Sequence, residues 1–270
     1  MAHELQERYS KLVLAKLRKT SIFSTLFNTR YEGTPTAGAV KIPVRDTEVA
    51  VGDYDINEGG ELKFSSTTYQ TLPIDRDKYV NELVDGYEAA AVPDNLVADR
   101  LDSAGYAMAI SFDSDLVKEL VENGTASDNT SALTKSTVYE SVVDEVQKLK
   151  KLGLNVNEMW LAVTNETYGL LLKCPEFVKA SDLGDKVVQN GQVGRFAGLD
   201  VYETNNITDA NLEYIIGNKV FCHFVDEWKT PVALNDLKDG KHIGSSAIQG
   251  RRVYGIKVSR PTTVTLKKKA

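Results

Sequence analysis

The chain has 270 residues, of which 42% are hydrophobic and 26% charged, a composition typical of a globular protein with one large core or two smaller ones. The formal net charge of −6 argues against a dedicated nucleic-acid-binding protein. Two cysteines, Cys174 and Cys222, predict neither a disulfide framework nor a zinc site, and we expect no secretion signal and no membrane-spanning segment.

Two amphipathic helices are predicted near the start of the chain. Residues 2–20 place apolar side chains at helical spacing on one stripe, with charged residues elsewhere. Residues 75–91 show the same spacing and are stopped by Pro93, whose ring cannot continue a helix. We interpret the acidic residues of this second segment as a solvated helix face.

Between these helices, residues 31–73 show no helical period and predict a long β-hairpin whose turn is at residues 57–60. Each arm of about 15 residues would reach roughly 50 Å at about 3.3 Å per residue. Because a two-stranded ribbon is only marginally stable alone, we expect it to pack on a neighbouring subunit, with its apolar side chains exposed until it does so. The residues expected at this inter-subunit contact are Val44, Val49, Phe64 and Tyr69.

A long third helix is predicted over residues 94–122, from the capping residue Asp94 to the stop signal Asn123-Gly124. At about 1.5 Å per residue it would be about 43 Å long, which is unusual in a domain of this size. Residues 104–112 are apolar almost all round, so we expect neighbours on several sides.

The fourth helix has the clearest signals in the chain. Thr137 and Glu140 have the spacing of a capping box, and Gly153 stands where a helix-ending glycine belongs. The last turn is rich in lysine, as the helix dipole favours. Its predicted buried stripe consists of Val138, Val142, Val146 and Leu149.

Residues 154–206 predict a strand (159–163), a short helix (165–172), a glycine-rich turn (190–198) and a second strand (199–204). The glycine spacing is G-x-x-G-x-x-x-G, and a strand follows it where a dinucleotide-binding loop needs a helix. We therefore interpret the glycines as residues that supply positive backbone angles in a tight connection.

The last part of the chain is mostly strand-like. The periodicity of residues 214–228 does not decide between strand and helix, whereas residues 251–258 and 262–266, separated by Pro261, predict closing strands. Trp160 and Trp228 are interpreted as core or interface residues. The lysines at 267–269 are interpreted as a frayed, solubilising tail rather than a DNA contact.

No pattern in the sequence predicts catalysis. The stretch from Asp53 begins like a calcium loop, but Glu58 stands where that loop needs glycine and Phe64 where it needs a bidentate glutamate. Cys222 and His223 are neighbours, so their side chains point apart and form no dyad. The three histidines have no metal-ligand spacing, and no serine-hydrolase or Walker motif occurs. We expect no catalytic residue, no metal and no cofactor.

A family resemblance accounts for these elements together. The tryptophan-containing strand, the short helix that ends near Cys174-Pro175-Glu176-Phe177, and the string VVQNGQVGRFAGLDVYETNNI (187–207) resemble the axial domain of tailed-phage major capsid proteins of the Hong Kong 97-type fold. The order of elements follows that family from end to end. The resemblance implies an α+β fold with an N-terminal arm (1–30), an extended β-hairpin loop (31–73), a peripheral domain with a long spine helix (74–150), an axial domain (151–237) and closing strands of the peripheral domain (238–270).

The same resemblance implies a function. The chain would self-assemble as hexamers and pentamers into an icosahedral shell around phage double-stranded DNA, without sequence-specific contacts and without a membrane. It would belong to the virion, be assembled in the host cytoplasm, and work with a portal and a scaffolding protein. Since no scaffolding-like region precedes the arm, a separate scaffolding protein, or none, is expected. Lys41 and Lys63 are candidates, by position alone, for the crosslink that some relatives form to an asparagine.

Two alternatives remain at this stage. An encapsulin, a cellular protein compartment, has the same fold and a similar length, and its neighbouring genes would encode cargo proteins instead of phage proteins. A soluble α+β enzyme of unknown reaction is the second alternative. It would be a monomer or a small oligomer in solution, whereas a capsid protein forms shells.

Overall fold

The computed structural model describes residues 19, 21–31, 38–44, 50–57, 59–60, 62, 67–87, 96–174, 178–179, 192–238 and 240–270. Over these ranges the chain combines a seven-stranded sheet, a three-stranded sheet, a two-stranded ribbon and one long helix. The predicted helix over residues 2–20 lies outside the described residues, apart from Lys19.

The bounds of the elements are as follows. The helices are α1 (Phe23–Leu26), α2 (Leu96–Asn123), α3 (Val138–Lys151) and α4 (Asn165–Leu171). The strands are β1 (Ala39–Val44), β2 (Thr68–Pro73), β3 (Arg76–Val84), β4 (Thr125–Ala126), β5 (Met159–Val163), β6 (Val178–Lys179), β7 (Gln192–Phe196), β8 (Leu199–Glu203), β9 (Leu212–Asn218), β10 (Cys222–Asp236), β11 (Ser246–Val258) and β12 (Thr265–Lys268).

The seven-stranded sheet has the order β4-β12-β9-β5-β8-β7-β6. Its central strand β5 runs parallel to β8 and antiparallel to β9, and all five of its side chains are buried. Strands buried on both faces are continuously apolar, which is why the sequence of β5 does not alternate. The strand, the short helix α4 and the second strand predicted over this region are confirmed.

Helix α3 packs its predicted apolar stripe against this sheet, and all four residues of the stripe are buried. Leu154 N donates to Leu149 O and Gly153 N donates to Lys150 O, with Gly153 at φ 83°, so the helix ends in a Schellman motif. The predicted capping box is wrong. Thr137 already has helical backbone angles. Its Oγ1 accepts a hydrogen bond from Thr134 N, in the turn before the helix, and therefore does not cap α3.

Helix α2 confirms the predicted long helix. Its 28 residues span about 42 Å at about 1.5 Å per residue. It contacts α1, β3, β10 and β11, and Phe112, Leu116 and Leu120 lie buried in the core that it shares with α1 and both sheets. Within residues 104–112, however, only Ala104, Met108 and Phe112 are buried, four residues apart on one stripe, and Ala107 is exposed, so the cover expected on several sides of this stretch is wrong for the single chain.

The helix predicted over residues 75–91 is wrong, because residues 76–84 form the edge strand β3 of the sheet β10-β11-β3. Of the apolar residues that gave the helical spacing, the three that the structure describes, Tyr79, Leu83 and Tyr87, are exposed and form no buried stripe. Two polar side chains of the strand instead contact helix α2. Arg76 donates to Asp115 O and to Glu119 of α2, and Lys78 pairs with Asp115 at 3.4 Å. Their spacing of two residues is that of a strand.

Two strand pairings cross the expected limits of the axial and peripheral domains, which stay a prediction. Strand β10, placed in the axial domain by its position, pairs with β11 in the three-stranded sheet. Strand β12, expected to close the peripheral domain, pairs with β9 and β4 in the seven-stranded sheet. The segment that periodicity left open, residues 214–228, is divided between strands β9 and β10.

The lysines at the end of the chain do not fray. Lys267 is buried, and its Nζ donates to the carbonyl oxygens of Asn129 and Ser131. Lys268 pairs with Asp209 at 3.1 Å. The prediction of a loose solubilising tail is wrong for these residues, since a strand pairing and two carbonyl acceptors hold them.

The glycine-rich turn is shorter than predicted. Gly194 lies inside strand β7, and the turn to β8 consists of Ala197 and Gly198, at φ 52° and 85°. Positive angles at both central residues match the twist of the flanking antiparallel strands. Among the described glycines of this turn, only Gly198 has the predicted positive backbone angle.

Candidate self-association surface

The base of the predicted hairpin is anchored on its own chain. Strands β1 and β2 pair antiparallel, from Ala39 opposite Pro73 to Val44 opposite Thr68. Ile42, Val44 and Leu72 are buried in one cluster with Val225 of β10. A Cβ on Gly255 of β11 would lie 2.3 Å from Pro73 O, so β2 crosses β11 in direct backbone contact.

Because the base of the ribbon is buried on its own chain, the predicted inter-subunit contact residues differ in exposure. Val44 is only 8% exposed, so the expectation that it stays exposed until a neighbour covers it is wrong. Tyr69 is 65% exposed, and its contact with a neighbour stays a prediction. Val49 and Phe64 lie outside the described residues.

The tip of the ribbon is a tight turn, as predicted. Gly59 N donates to Asp55 O at 2.8 Å, the two residues form a bridge, and Gly59 adopts φ 72°. Asn57 N also donates to the Asp55 carboxylate at 2.7 Å. A glycine at that angle avoids the strain that a side chain would bring.

Large apolar side chains near this tip point into solvent. The exposed fractions are 95% for Val51, 77% for Tyr54, 87% for Ile56 and 95% for Leu62. Single exposed apolar residues are common on protein surfaces, but a group of them on one ribbon marks an interaction surface. The sequence carried the signal, because these apolar residues lie among polar ones on a segment predicted to be too long to pack on its own domain.

The net charge of −6 arises from one segment of the ribbon. Residues 46–61 contain six acidic residues and no basic one, while the other 254 residues contain 32 acidic and 32 basic residues. The apolar tip is therefore embedded in a concentrated negative charge. Repulsion between such tips opposes their contact with each other and favours contact with another, less acidic surface.

A second exposed aromatic surface lies on the three-stranded sheet. Trp228 of β10 and Tyr79 of β3 line a groove of about 570 Å³. The Arg251 guanidinium lies over the Trp228 ring, with Cζ 5.4 Å from the ring centroid. Arg251 also forms a bidentate ion pair with Asp77. This places Trp228 at the surface, in agreement with an interface role, whereas Trp160 is buried in the core.

Buried acidic groups on α2 have structural partners. Asp113 accepts hydrogen bonds from Ser21 Oγ at 3.0 Å, from Phe23 N at 2.9 Å and from Asn206 Nδ2, so it ties the N-terminal segment and the β8–β9 loop to α2. Burial raises the pKa of Asp113 in spite of these bonds. Tyr254 OH donates to the Asp115 carboxylate at 2.7 Å.

Cys222 and His223 lie on opposite faces of β10. Burial raises the pKa of the Cys222 thiol to about 12 and lowers the pKa of the His223 imidazole to about 4, so both are neutral at physiological pH. In the described part of the chain, no group of three His, Cys, Asp or Glu residues is arranged to hold a metal ion. Within the same ranges, none of the helices has the length and apolar character needed to cross a membrane.

Comparison with known proteins gives one family and a set of structures. A family model described as phage capsid protein matches residues 71–266. Among curated proteins, none matches the chain. A solved structure from Mycobacterium phage Che8 has 25% sequence identity and a TM-score of 0.76, with 97% of this chain and 96% of that chain covered.

Two further structures share the fold at lower identity. The capsid structure of the cyanophage P-SCSP1u has a TM-score of 0.77 at 15% identity, covering 98% of this chain and 93% of that chain. The capsid of the native GTA particle has a TM-score of 0.70 at 14% identity, covering 98% and 95%.

Proposed function

The chain belongs to the phage capsid protein family, whose model covers most of its length, and on this basis we propose in detail how it builds a shell. It is a major capsid protein with the Hong Kong 97-type fold, a structural component of the virion and not an enzyme. The family favours this function over an encapsulin. The extent of the structural match, 97% of this chain at 25% identity, favours it over an enzyme with an unrelated fold.

The observation that supports the assembly mechanism is the contrast within the ribbon. Its base is buried on its own chain, whereas Val51, Ile56 and Leu62 near the tip are at least 87% exposed. We infer that the tip is covered by a neighbouring copy, and that the buried base fixes the direction in which the ribbon leaves the domain. A contact between a ribbon tip and a different surface of the next copy is heterologous, and such contacts close into rings. Hexamers and pentamers are the rings that we propose.

Other partners follow from the same proposal. The shell encloses double-stranded DNA without reading its sequence, and the acidic ribbon is unsuited to contact phosphates. A scaffolding protein and a portal assist assembly, which takes place in the cytoplasm of the host. These partners are supported by membership of the family alone.

The test is a triple substitution at the tip, V51S, I56S and L62S. Full burial of such side chains is worth about 1.5–3 kcal/mol each, so their loss removes several kcal/mol from each contact between subunits. We expect a soluble, folded protein with an unchanged thermal unfolding midpoint that forms no shells in sedimentation and negative-stain microscopy. A matched control, V51I, I56L and L62I, keeps the apolar area and should assemble.

Two results would contradict the proposed role of the ribbon. The first is normal shell formation by the serine variant, since the tip would then contribute nothing to assembly. The second is an equal loss of thermal stability in the unassembled serine variant, which would mean that the tip folds back on its own domain.

A further inference from the structure

A short segment connects the N-terminal arm to the ribbon by crossing the start of β10. Asn28 N donates to Cys222 O at 2.7 Å, and Phe224 N donates to Asn28 O at 3.2 Å. These two bonds enclose His223, which forms a parallel bridge with Asn28. The arm is thus held to the sheet by backbone pairing on either side of one histidine.

The hydrogen bonds of His223 define its tautomer. Ser259 Oγ donates to Phe221 O at 3.1 Å, so its oxygen is left to accept from His223 Nε2 at 3.0 Å. Nε2 therefore carries the proton, and Nδ1 is bare. Nδ1 is also buried and has no hydrogen-bond partner within the described residues. A proton added at Nδ1 would thus create a buried cation without an acceptor, which is costly.

Within the described residues, burial is the only cause of the lowered His223 pKa, and no negatively charged group acts on the ring. Tyr31 of the arm packs edge-on against the ring, with centroids 5.2 Å apart. On β11, Lys257 is paired with His223 in the strand register, and it carries no negative charge. On β10 itself, the neighbouring Cys222 lies on the opposite face of the strand. Burial and the lack of an acceptor for Nδ1 within the described residues therefore oppose protonation while the segment is in place.

Tyr31 also connects the histidine to the ribbon. Besides its contact with His223, it packs on the cluster of Ile42, Leu72 and Val225 that anchors the ribbon base. Loss of the contact between Tyr31 and His223 therefore loosens the arm and the ribbon base together.

We propose that His223 is an acid-sensitive latch: its neutral imidazole keeps the segment Asn28 to Tyr31 on β10, and protonation releases this segment and loosens the ribbon base. The latch belongs to the single chain and does not depend on where the ribbon docks. Its failure is therefore distinguishable from failure of the proposed ribbon contact.

The size of the effect follows from linkage. The closed segment holds His223 at a pKa of about 4, and an open segment returns it to its ordinary value of about 6.5. Because the closed state binds fewer protons, its stability is complete above pH 6.5 and is lost as the pH falls. The opening constant should rise by about 20-fold from pH 7 to pH 5 and by about 100-fold from pH 7 to pH 4.

Amide hydrogen exchange on the full chain measures this opening, with rates corrected for the intrinsic effect of pH. The reporting amides are those of Asn28 and Phe224, and the reference amides are those of Thr204 and Lys219, which are bonded to Val163 O and Glu158 O. We expect protection to fall at the reporting amides by the factors above while the reference amides change much less. The Phe23 amide, bonded to Asp113, separately reports the front of the arm.

Two variants make the test specific. H223F keeps an aromatic ring beside Tyr31 but cannot be protonated, so the acid-induced loss of protection should disappear. H242F removes an exposed histidine and should leave the wild-type pH dependence unchanged. Undiminished pH dependence in H223F, or an equal loss of protection at the reference amides, would overturn the latch. If H223F does not fold, an NMR titration of the wild-type His223 ring decides: a midpoint near 4 supports the proposal, and one near 6.5 contradicts it.

Discussion

The seven-stranded sheet and the ribbon use the same kinds of apolar side chain in opposite ways. In β5, every side chain from Met159 to Val163 is buried by the chain itself. Near the ribbon tip, Val51, Ile56 and Leu62 are almost fully exposed. Apolar residues in the sheet therefore stabilise the folded subunit, whereas those at the tip contribute little to it and, as we propose, stabilise the contact with a second copy.

Polar groups show the same contrast. In the sheet region even the buried Lys267 has two carbonyl acceptors, and desolvation lowers its pKa. In the ribbon, residues 46–61 include six acidic residues and no basic one. The sheet is complete within one subunit, whereas we propose that the ribbon is completed by another. The following predictions test this division.

The largest effect is expected from L161A in the centre of the seven-stranded sheet. Leu161 is fully buried between neighbouring strands, and removing its side chain leaves a cavity that costs about 2–5 kcal/mol. Denaturant unfolding of the unassembled protein should show this loss. L152A, at the exposed end of α3, is the matched control and should change the free energy of unfolding by less than about 0.5 kcal/mol. Similar losses in both variants would remove the distinction between buried and exposed leucines in this domain.

The second largest effect is expected at β3, the strand of the three-stranded sheet that directly follows the ribbon in the chain. R76A leaves Glu119 buried without its 3.0 Å ion-pair partner and removes a bond to Asp115 O. Because the pair is only partly exposed, we expect a loss of about 2–3 kcal/mol in the free energy of unfolding.

A double substitution checks the cause of that loss. R76M combined with E119L replaces both charges by apolar side chains of similar length and should recover most of the stability. If the double variant is as unstable as R76A, the ion pair is not what holds β3 on α2.

Local signals predicted some elements and failed for others, and β3 shows why. Helix α3 was predictable because its stripe, its lysines and Gly153 all lie within one segment. Residues 75–91 also have helical spacing, but Arg76 and Lys78 pair with Asp115 and Glu119, about 40 positions along the chain. Contacts so distant in sequence leave no periodic signal.

The ribbon was predictable as a hairpin but not residue by residue. Val44 and Val51 look alike in sequence, yet Val44 is buried because it packs in a cluster with Val225 of β10, a strand that the ribbon base crosses. Lys267 likewise resembles a tail residue until β12 inserts beside β9. Burial in both cases depends on which strands cross or pair, and one sequence does not reveal that pairing.

Two similar substitutions in the ribbon then separate its base from its tip. V44S removes a buried valine from the cluster with Ile42, Leu72 and Val225, so we expect a loss of about 1–3 kcal/mol from the unassembled protein. Thermal unfolding under conditions that prevent shell formation measures it. An unchanged midpoint would mean that the ribbon base does not depend on this cluster.

The smallest effect on the single subunit is expected from I56S, one residue beyond Asp55 at the tip. Ile56 is 87% exposed, so serine removes almost no contact within the chain, and the free energy of unfolding should change by less than about 0.5 kcal/mol. The same substitution should nevertheless raise the protein concentration at which shells form, because the side chain is buried only in the assembled state. At about 1.4 kcal/mol per tenfold change in an equilibrium constant, a burial free energy of about 1.5–3 kcal/mol corresponds to roughly a 10- to 100-fold weaker contact. Sedimentation over a series of concentrations gives this shift. If I56S destabilises the unassembled subunit as much as V44S does, tip and base belong to one folded unit, and the division between sheet and ribbon is wrong.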